Sequence, residues 1–201
     1  SRGLGDVYKR QIKSLEIEAE NGEAKFVTVD MGKPVLSPRD IPVIFDGERM
    51  VNEPLQVMEK EYRITAVSMG NPHAVVFCDE VQGLDLEKIG PFFENAPIFP
   101  ERVNTEFIRI ISGAELEMRV WERGSGETFA CGTGACAAVA VCVRLKKCAR
   151  GLPVNVRLPG GVLTVCCGED GEITLSGGAA FVYDGVFDFA DERGGGDHFG
   201  H

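Results

Sequence analysis

The chain has little positive charge for its size. Over 201 residues it carries 21 Lys and Arg against 31 Asp and Glu, a net charge of −10 and a pI near 4.9. Such a balance argues against gripping nucleic acid or an anionic membrane surface. Long apolar runs are also missing: the longest is Ala135 to Val143, far short of the roughly 18 residues that span a bilayer. The opening stretch SRGLGDVYKRQ lacks the apolar segment of a secretory signal. Histidine is scarce, with His73 the only one outside the tail. Seven cysteines, an odd number confined to Cys78 to Cys167, suit reduced thiols better than a disulfide framework. No pair has the spacing of a zinc site with a partner pair, so no metal is expected. CGTG (131–134) lacks the spacing of a dinucleotide fingerprint. What is present, 44% hydrophobic and 26% charged residues, is the make-up of a globular protein with a real core. The expectation is a cytoplasmic protein, with neither nucleic acid nor membrane among its partners.

Residues 1–11 show no clean period and are expected to be a non-native lead-in. From Ile12 the pattern is β. Leu15 to Ala19 alternates, Asn21-Gly22 signals a hairpin, and Lys25 to Met31 resumes the strand. Gly32, Pro34, Pro38 and Pro42 then mark a loop-rich connection, placing a domain boundary near residue 35. Strands are expected at 62–68, 74–77, 105–111, 115–121, 154–158, 162–166, 172–175 and 180–186, with a short helix over 84–93. The tail from Asp191 is glycine-rich and polar and reads as disordered.

Gly134 to Lys147 stands apart. It is apolar nearly all round until Arg144 and built of small side chains, so it predicts an enclosed helix that strands approach closely. Its last turn is basic, matching the negative end of the helix dipole. Cys131 falls at the entrance of this helix. There the free N–H groups and the dipole stabilise an anion, which predicts a lowered thiol pKa. Gly132 and Gly134 let backbone approach a ligand, and Thr133 supplies a hydroxyl or a cap. The plain alternative is a buried structural cysteine ahead of a helix. Two further clusters are Ser68-Met-Gly-Asn71-Pro-His73, with an amide and an imidazole, and the loop Pro100 to Asn104. A lone histidine is more often structural, and an asparagine at a strand start is usually turn chemistry.

Together, MGNPHAV (69–75), FPERVN (99–104), ERGSGETFACGTGACAAVAV (122–141), LPGGVLTV (158–165) and FVYDG (181–185) resemble the diaminopimelate epimerases. The resemblance runs from Ile12 to about Phe189. It implies an α+β fold, a mixed and largely antiparallel sheet wrapped around a central buried helix, in a family built from two pseudo-symmetric domains. It divides this chain into remnant strands of an N-terminal half-domain (12–35), a catalytic domain (36–178), a closing strand (179–189) and a tail (190–201).

The implied activity is cofactor-independent epimerisation of LL- to meso-diaminopimelate by two thiols, for lysine and peptidoglycan precursors. Cys131 matches the second thiol, Glu122 a residue that holds substrate and tunes it, and His73 the partner of the first thiol. Asn71, Asn104, Glu122, Arg123, Gly132 and Thr133 match substrate contacts, and Tyr183 a residue of the family's homodimer interface. The family's first cysteine sits in an Asn/Gly-rich turn, whereas no cysteine precedes Cys78 here. The sequence is therefore expected to carry one thiol of the two. The rival readings are a proline-racemase-like isomerase of another amino acid, a thiol hydrolase or acyltransferase with Cys131 as nucleophile and His73 as base, and an inactive amino-acid-binding half-protein.

Overall fold

The structure is a computed structural model that describes residues 13–186 and, for backbone pairing alone, residues 5–6 and 11–12. Most of the lead-in, together with residues 187–189 and the expected disordered tail, lies outside the described residues. In chain order the elements are β1 (Gly5–Asp6), β2 (Gln11–Ile12), β3 (Leu15–Glu20), β4 (Glu23–Gly32), β5 (Glu53–Val57), β6 (Lys60–Ser68), β7 (Pro72–Phe77) and α1 (Leu86–Glu94). Then follow β8 (Asn104–Ser112), β9 (Glu115–Glu122), β10 (Gly126–Thr128), α2 (Gly132–Arg144), β11 (Pro153–Leu158), β12 (Gly161–Cys167) and β13 (Ile173–Gly178). All but the first two strands join one mixed sheet of 11 strands, in the order β3-β4-β13-β12-β11-β9-β8-β7-β6-β5, with β10 on β9.

Local chemistry explains the boundaries. Asn21 and Gly22 both take positive φ (53° and 84°), the geometry of a tight hairpin turn between β3 and β4. β4 continues into the rest of the sheet by pairing antiparallel with β13, and Thr28 and Ser176 hydroxyls meet at 2.8 Å across that seam. Pro54 is tolerated in β5 because β5 is an edge strand.

Two pairings are parallel, β7 with β8 and β9 with β11. Each needs a crossover, and each crossover carries one helix. α1 joins β7 to β8 and α2 joins β9 to β11. Side-chain alternation in the central strands shows that the helices lie on opposite faces. Ala74, Val76, Phe107 and Trp121 belong to the core on the α1 side, whereas Val75, Ile108, Val120 and Val67 belong to that on the α2 side. Burial on both faces is why these strands read as nearly continuous apolar runs. α2 touches β6, β7, β8, β12 and β13, and residues Gly134 to Val143 are all buried. No helix among the described residues is long and apolar enough to cross a membrane.

One expected strand is absent. Residues 179–186 form no strand, and Phe181, Val182, Tyr183 and Val186 are 65–96% exposed. β13, which precedes them, is already paired on both sides by β12 and β4. With no burial to offset the entropy of ordering, β-branched and aromatic residues do not make a strand.

Candidate active site

Cys131 is the N-cap of α2. Its backbone is extended (φ −138°, ψ 109°), and its sulfur accepts from the Gly134 N–H at 3.3 Å. A sulfur in this position takes the place of the oxygen of a conventional cap. Its carbonyl also accepts the first intrahelical bond, from Ala135 N. The Thr133 hydroxyl lies 3.5 Å from the sulfur.

The rest of the site comes from the sheet ends that face α2. His73, the second residue of β7, lies beside Asn104, the first residue of β8, as its direct parallel neighbour. Two-residue periodicity puts His73, Asn104, Glu106 and Glu122 on the same face as Val75, Ile108 and Val120, the face that α2 covers. His73 is fully buried, with both ring nitrogens in use. Nδ1 is 2.7 Å from Glu106 Oε1, and Nε2 is 2.9 Å from Asn71 Oδ1. Asn71 Nδ2 donates to the Thr133 hydroxyl at 3.3 Å. Glu122 accepts from the Thr128 hydroxyl. Asn104 Oδ1 accepts from the Arg123 N–H at 2.9 Å, and the Arg123 guanidinium donates to Glu101 O. Asn71, His73, Thr133 and Cys131 thus form one connected group. Asn104 and Arg123 form a second at the turn after β9, Glu122 stands at the end of β9 bonded to Thr128, and Gly132 begins the helix. Tyr183 belongs to neither; it sits in the exposed stretch after β13 and is 79% exposed.

The lowered thiol pKa expected of a helix N-terminus is not found. Burial, then the charge of Glu106, and also Glu122, push Cys131 up from 9.0 to about 12; the Thr133 and Gly134 hydrogen bonds pull the other way and lose. Two hydrogen bonds from the helix entrance do not offset desolvation and two carboxylates. The other thiols are placed differently. Cys136, Cys142, Cys148 and Cys167 pack in the α2-side core, Cys166 is half-buried on β12, and Cys78 packs against the core on the far face of the sheet.

Sequence reasoning missed Glu106. It is fully buried, and burial lifts its carboxyl above the ordinary 4.5 against the pull of His73. The available signal was its alternation with Ile108 and Ile110 on the face of β8 that α2 covers, since a charge there must have a partner. Glu94 was missed too. From α1, its carboxylate accepts from Trp121 Nε1 (2.7 Å), Arg102 Nη1 (2.9 Å) and Gly124 N (2.9 Å), and so fixes the turn that carries Glu122 and Arg123.

A protein-family model described as diaminopimelate epimerase matches residues 65–182. Curated relatives named diaminopimelate epimerase include those of Agathobacter rectalis, 47% identical over 185 residues, and Geobacillus kaustophilus, 47% identical over 180. These alignments cover 88% and 89% of this chain but only 64% and 62% of the relatives, so the chain spans less than two thirds of their length. Among solved structures, a probable proline racemase of Agrobacterium radiobacter aligns with a TM-score of 0.64 at 13% identity, over 90% of this chain and 59% of that one. A hydroxyproline epimerase of Agrobacterium vitis aligns with a TM-score of 0.63 at 15% identity, over 86% and 55%. These two share the fold with this chain.

Proposed function

Since the chain belongs to the diaminopimelate epimerase family, we propose that it carries one half of a cofactor-independent amino-acid epimerase site, acting on diaminopimelate with Cys131 as one of two acid–base thiols. The observation that carries this reading is the Cys131 sulfur at the entrance of α2, capped by Gly134 N–H and flanked by Glu106, Glu122 and Thr133. In the same reading the sheet wraps α2 as one of two pseudo-symmetric halves, and the assembled enzyme is a homodimer with Tyr183 at its interface.

The chemistry follows from the charges. Removing an α-proton builds negative charge on the substrate, and the N–H groups of the first turn of α2 meet it in place of a cofactor's electron sink. The substrate is zwitterionic at both ends. Its ammonium pairs with Glu122, its carboxylate with Arg123 and the amides of Gly132 and Thr133, and Asn71 and Asn104 set its orientation. Pairing Glu122 with an ammonium removes one of the charges that hold the Cys131 proton, so the thiol is released for chemistry as the substrate arrives. Inversion needs a second thiol on the other face of the α-carbon. None of the other six cysteines is placed for it: most lie in the core, Cys166 sits on β12 and Cys78 is across the sheet.

The test is α-proton exchange. The chain is incubated with LL-diaminopimelate in deuterated water and the α-deuterium is followed by mass spectrometry. The expected result is incorporation that Cys131→Ala abolishes, with no mass added to Cys131. A substrate-derived thioester on Cys131 would replace this reading by a thiol hydrolase, and exchange of proline instead by a proline-racemase-like isomerase. Calorimetric binding without exchange would leave only the amino-acid-binding reading.

A further inference from the structure

Glu106 joins the thiol through an unbroken series of polar contacts. From the carboxyl the series runs through His73 Nδ1 (2.7 Å), His73 Nε2 to Asn71 Oδ1 (2.9 Å), Asn71 Nδ2 to Thr133 Oγ1 (3.3 Å), and Thr133 Oγ1 to Cys131 Sγ (3.5 Å). Its two ends also converge in space. A Cβ placed on Gly134 would sit 2.7 Å from Glu106 Oε1 and 3.2 Å from the sulfur, so only a glycine lets both approach the same point of the helix. The second carboxyl oxygen, Glu106 Oε2, is buried with no partner among the described residues.

Hydrogen-bond bookkeeping gives this series two self-consistent settings. With Asn71 oriented as it stands, His73 Nε2–H donates to its oxygen and its amide donates to Thr133. The Thr133 hydrogen is then left to donate to sulfur, the arrangement that suits a thiolate. One further hydrogen lies between His73 Nδ1 and Glu106. Turning the Asn71 amide over reverses each link: the thiol donates to Thr133, Thr133 to Asn71 oxygen, the amide to His73 Nε2, and His73 Nδ1–H to the Glu106 carboxylate. The His73–Glu106 pair then holds one proton fewer, so its proton and the thiol proton are alternatives. The titratable groups facing the series are Glu122 at the end of β9 and, beyond Cys131 on α2, Cys136.

We propose that Glu106 is a positioning residue which, through His73, Asn71 and Thr133, sets whether the hydroxyl beside Cys131 donates to a thiolate or accepts from a thiol. The proposal rests on the preceding reading only in taking Cys131 as the reacting thiol. Its test reads that thiol directly, so failure here leaves the exchange result standing.

The experiment measures iodoacetamide alkylation of Cys131 in the full chain, by peptide mass spectrometry near neutral pH. Glu106→Gln keeps the shape and can still bond His73 Nδ1, but it removes the charge and the alternative proton. Alkylation is expected to be about tenfold faster, the effect of lowering the thiol pKa by about one unit. In a Thr133→Val background, where the series is cut, the same substitution is expected to give a clearly smaller gain. No gain in Glu106→Gln overturns the proposal. An equal gain in both backgrounds also overturns it, because the carboxylate then acts through space alone. Thermal melts establish that the variants are folded. Should Glu106→Gln not fold, the 15N signals of the His73 ring take its place: they are expected to shift in Cys131→Ala, and unchanged signals overturn the proposal.

Discussion

Among the described residues two carboxylates are shielded from solvent, one on each face of the sheet, and the molecule treats them differently. Glu94, on the α1 side, is answered by three donors that satisfy both oxygens. Glu106, on the α2 side, has one oxygen against His73 and the other without a partner among the described residues. The cores around them differ in the same sense. Phe93 meets Tyr62 and Phe107 edge-to-face at 5.0 and 5.1 Å on the α1 side, with Phe99 and Trp121 nearby. The buried apolar residues around α2 include no aromatic among the described residues; they are Ala, Val, Cys, Leu, Ile and Met, with the half-buried Phe77 packed against them. Rings fill space and set α1 in place, whereas small side chains let the backbone of α2 approach the strand ends. The Glu94 network on the α1 side is closed, although Thr105 Oγ1 on that face is also buried without a partner among the described residues, and the α2 side keeps charged polar capacity in reserve beside a thiol. Incomplete satisfaction of a buried group is a cost that functional sites carry more often than cores do.

The largest expected effect sharpens this contrast by pH. Burial lifts both Cys131 and Cys136 from 9.0 to about 12, and both lie on the α2 side. Between these values the folded chain keeps protons that the unfolded chain has lost. The stabilisation is therefore complete below about pH 9 and is lost as pH rises toward 12, by on the order of several kcal/mol. Urea midpoints near pH 8 and near pH 10.5 should show a steep fall, flattened in the Cys131→Ala/Cys136→Ala variant. A midpoint that is the same at both pH values would mean that the α2 side does not hold its thiols neutral. Next in size is Glu94→Ala, which strands the Trp121 N–H and the Gly124 N–H and is expected to cost about 2–3 kcal/mol in urea unfolding. A loss below about 0.5 kcal/mol would show that the α1-side network is not a stabilising one.

Much of this was legible beforehand. β6 to β9, β11 and β12 follow from alternation and turn residues, the hairpin from Asn21-Gly22, and the position of Cys131 from glycines flanking an all-apolar helix. Other features were not legible, each for a physical reason. The stretch 180–186 has strand composition but no strand to pair with, and composition is silent about partners. β5 was hidden by Pro54, which an interior strand excludes and an edge strand accepts. The direction of the Cys131 pKa failed because helix-end electrostatics are local in sequence, whereas Glu106, 25 positions upstream, reaches the thiol only through the packing of β8 on α2. Glu94 escaped notice for the same reason, since its three donors come from other parts of the chain.

The smallest expected effect bears on the comparison most directly, because each helix meets the sheet through a glycine with no room for a Cβ. At Gly90 on α1 that atom would lie 2.2 Å from the Trp121 ring; at Gly134 on α2 it would lie 2.7 Å from the Glu106 carboxyl and 3.2 Å from the Cys131 sulfur. Alanine gains helix propensity at either site, so the clash decides the sign. A buried indole has nowhere to go, and Gly90→Ala is expected to cost about 1–3 kcal/mol while leaving Cys131 alkylation as it was. At Gly134 the obstruction is the end of a flexible side chain and a sulfur. The expected stability change there is under about 1 kcal/mol, but the carboxyl and the thiol are forced apart and the alkylation rate changes. Urea midpoints and alkylation rates measured on both variants separate the two faces. If Gly134→Ala instead loses stability with unchanged alkylation, the small-residue surface of α2 serves packing alone, and the two faces differ only in the size of the side chains that fill them.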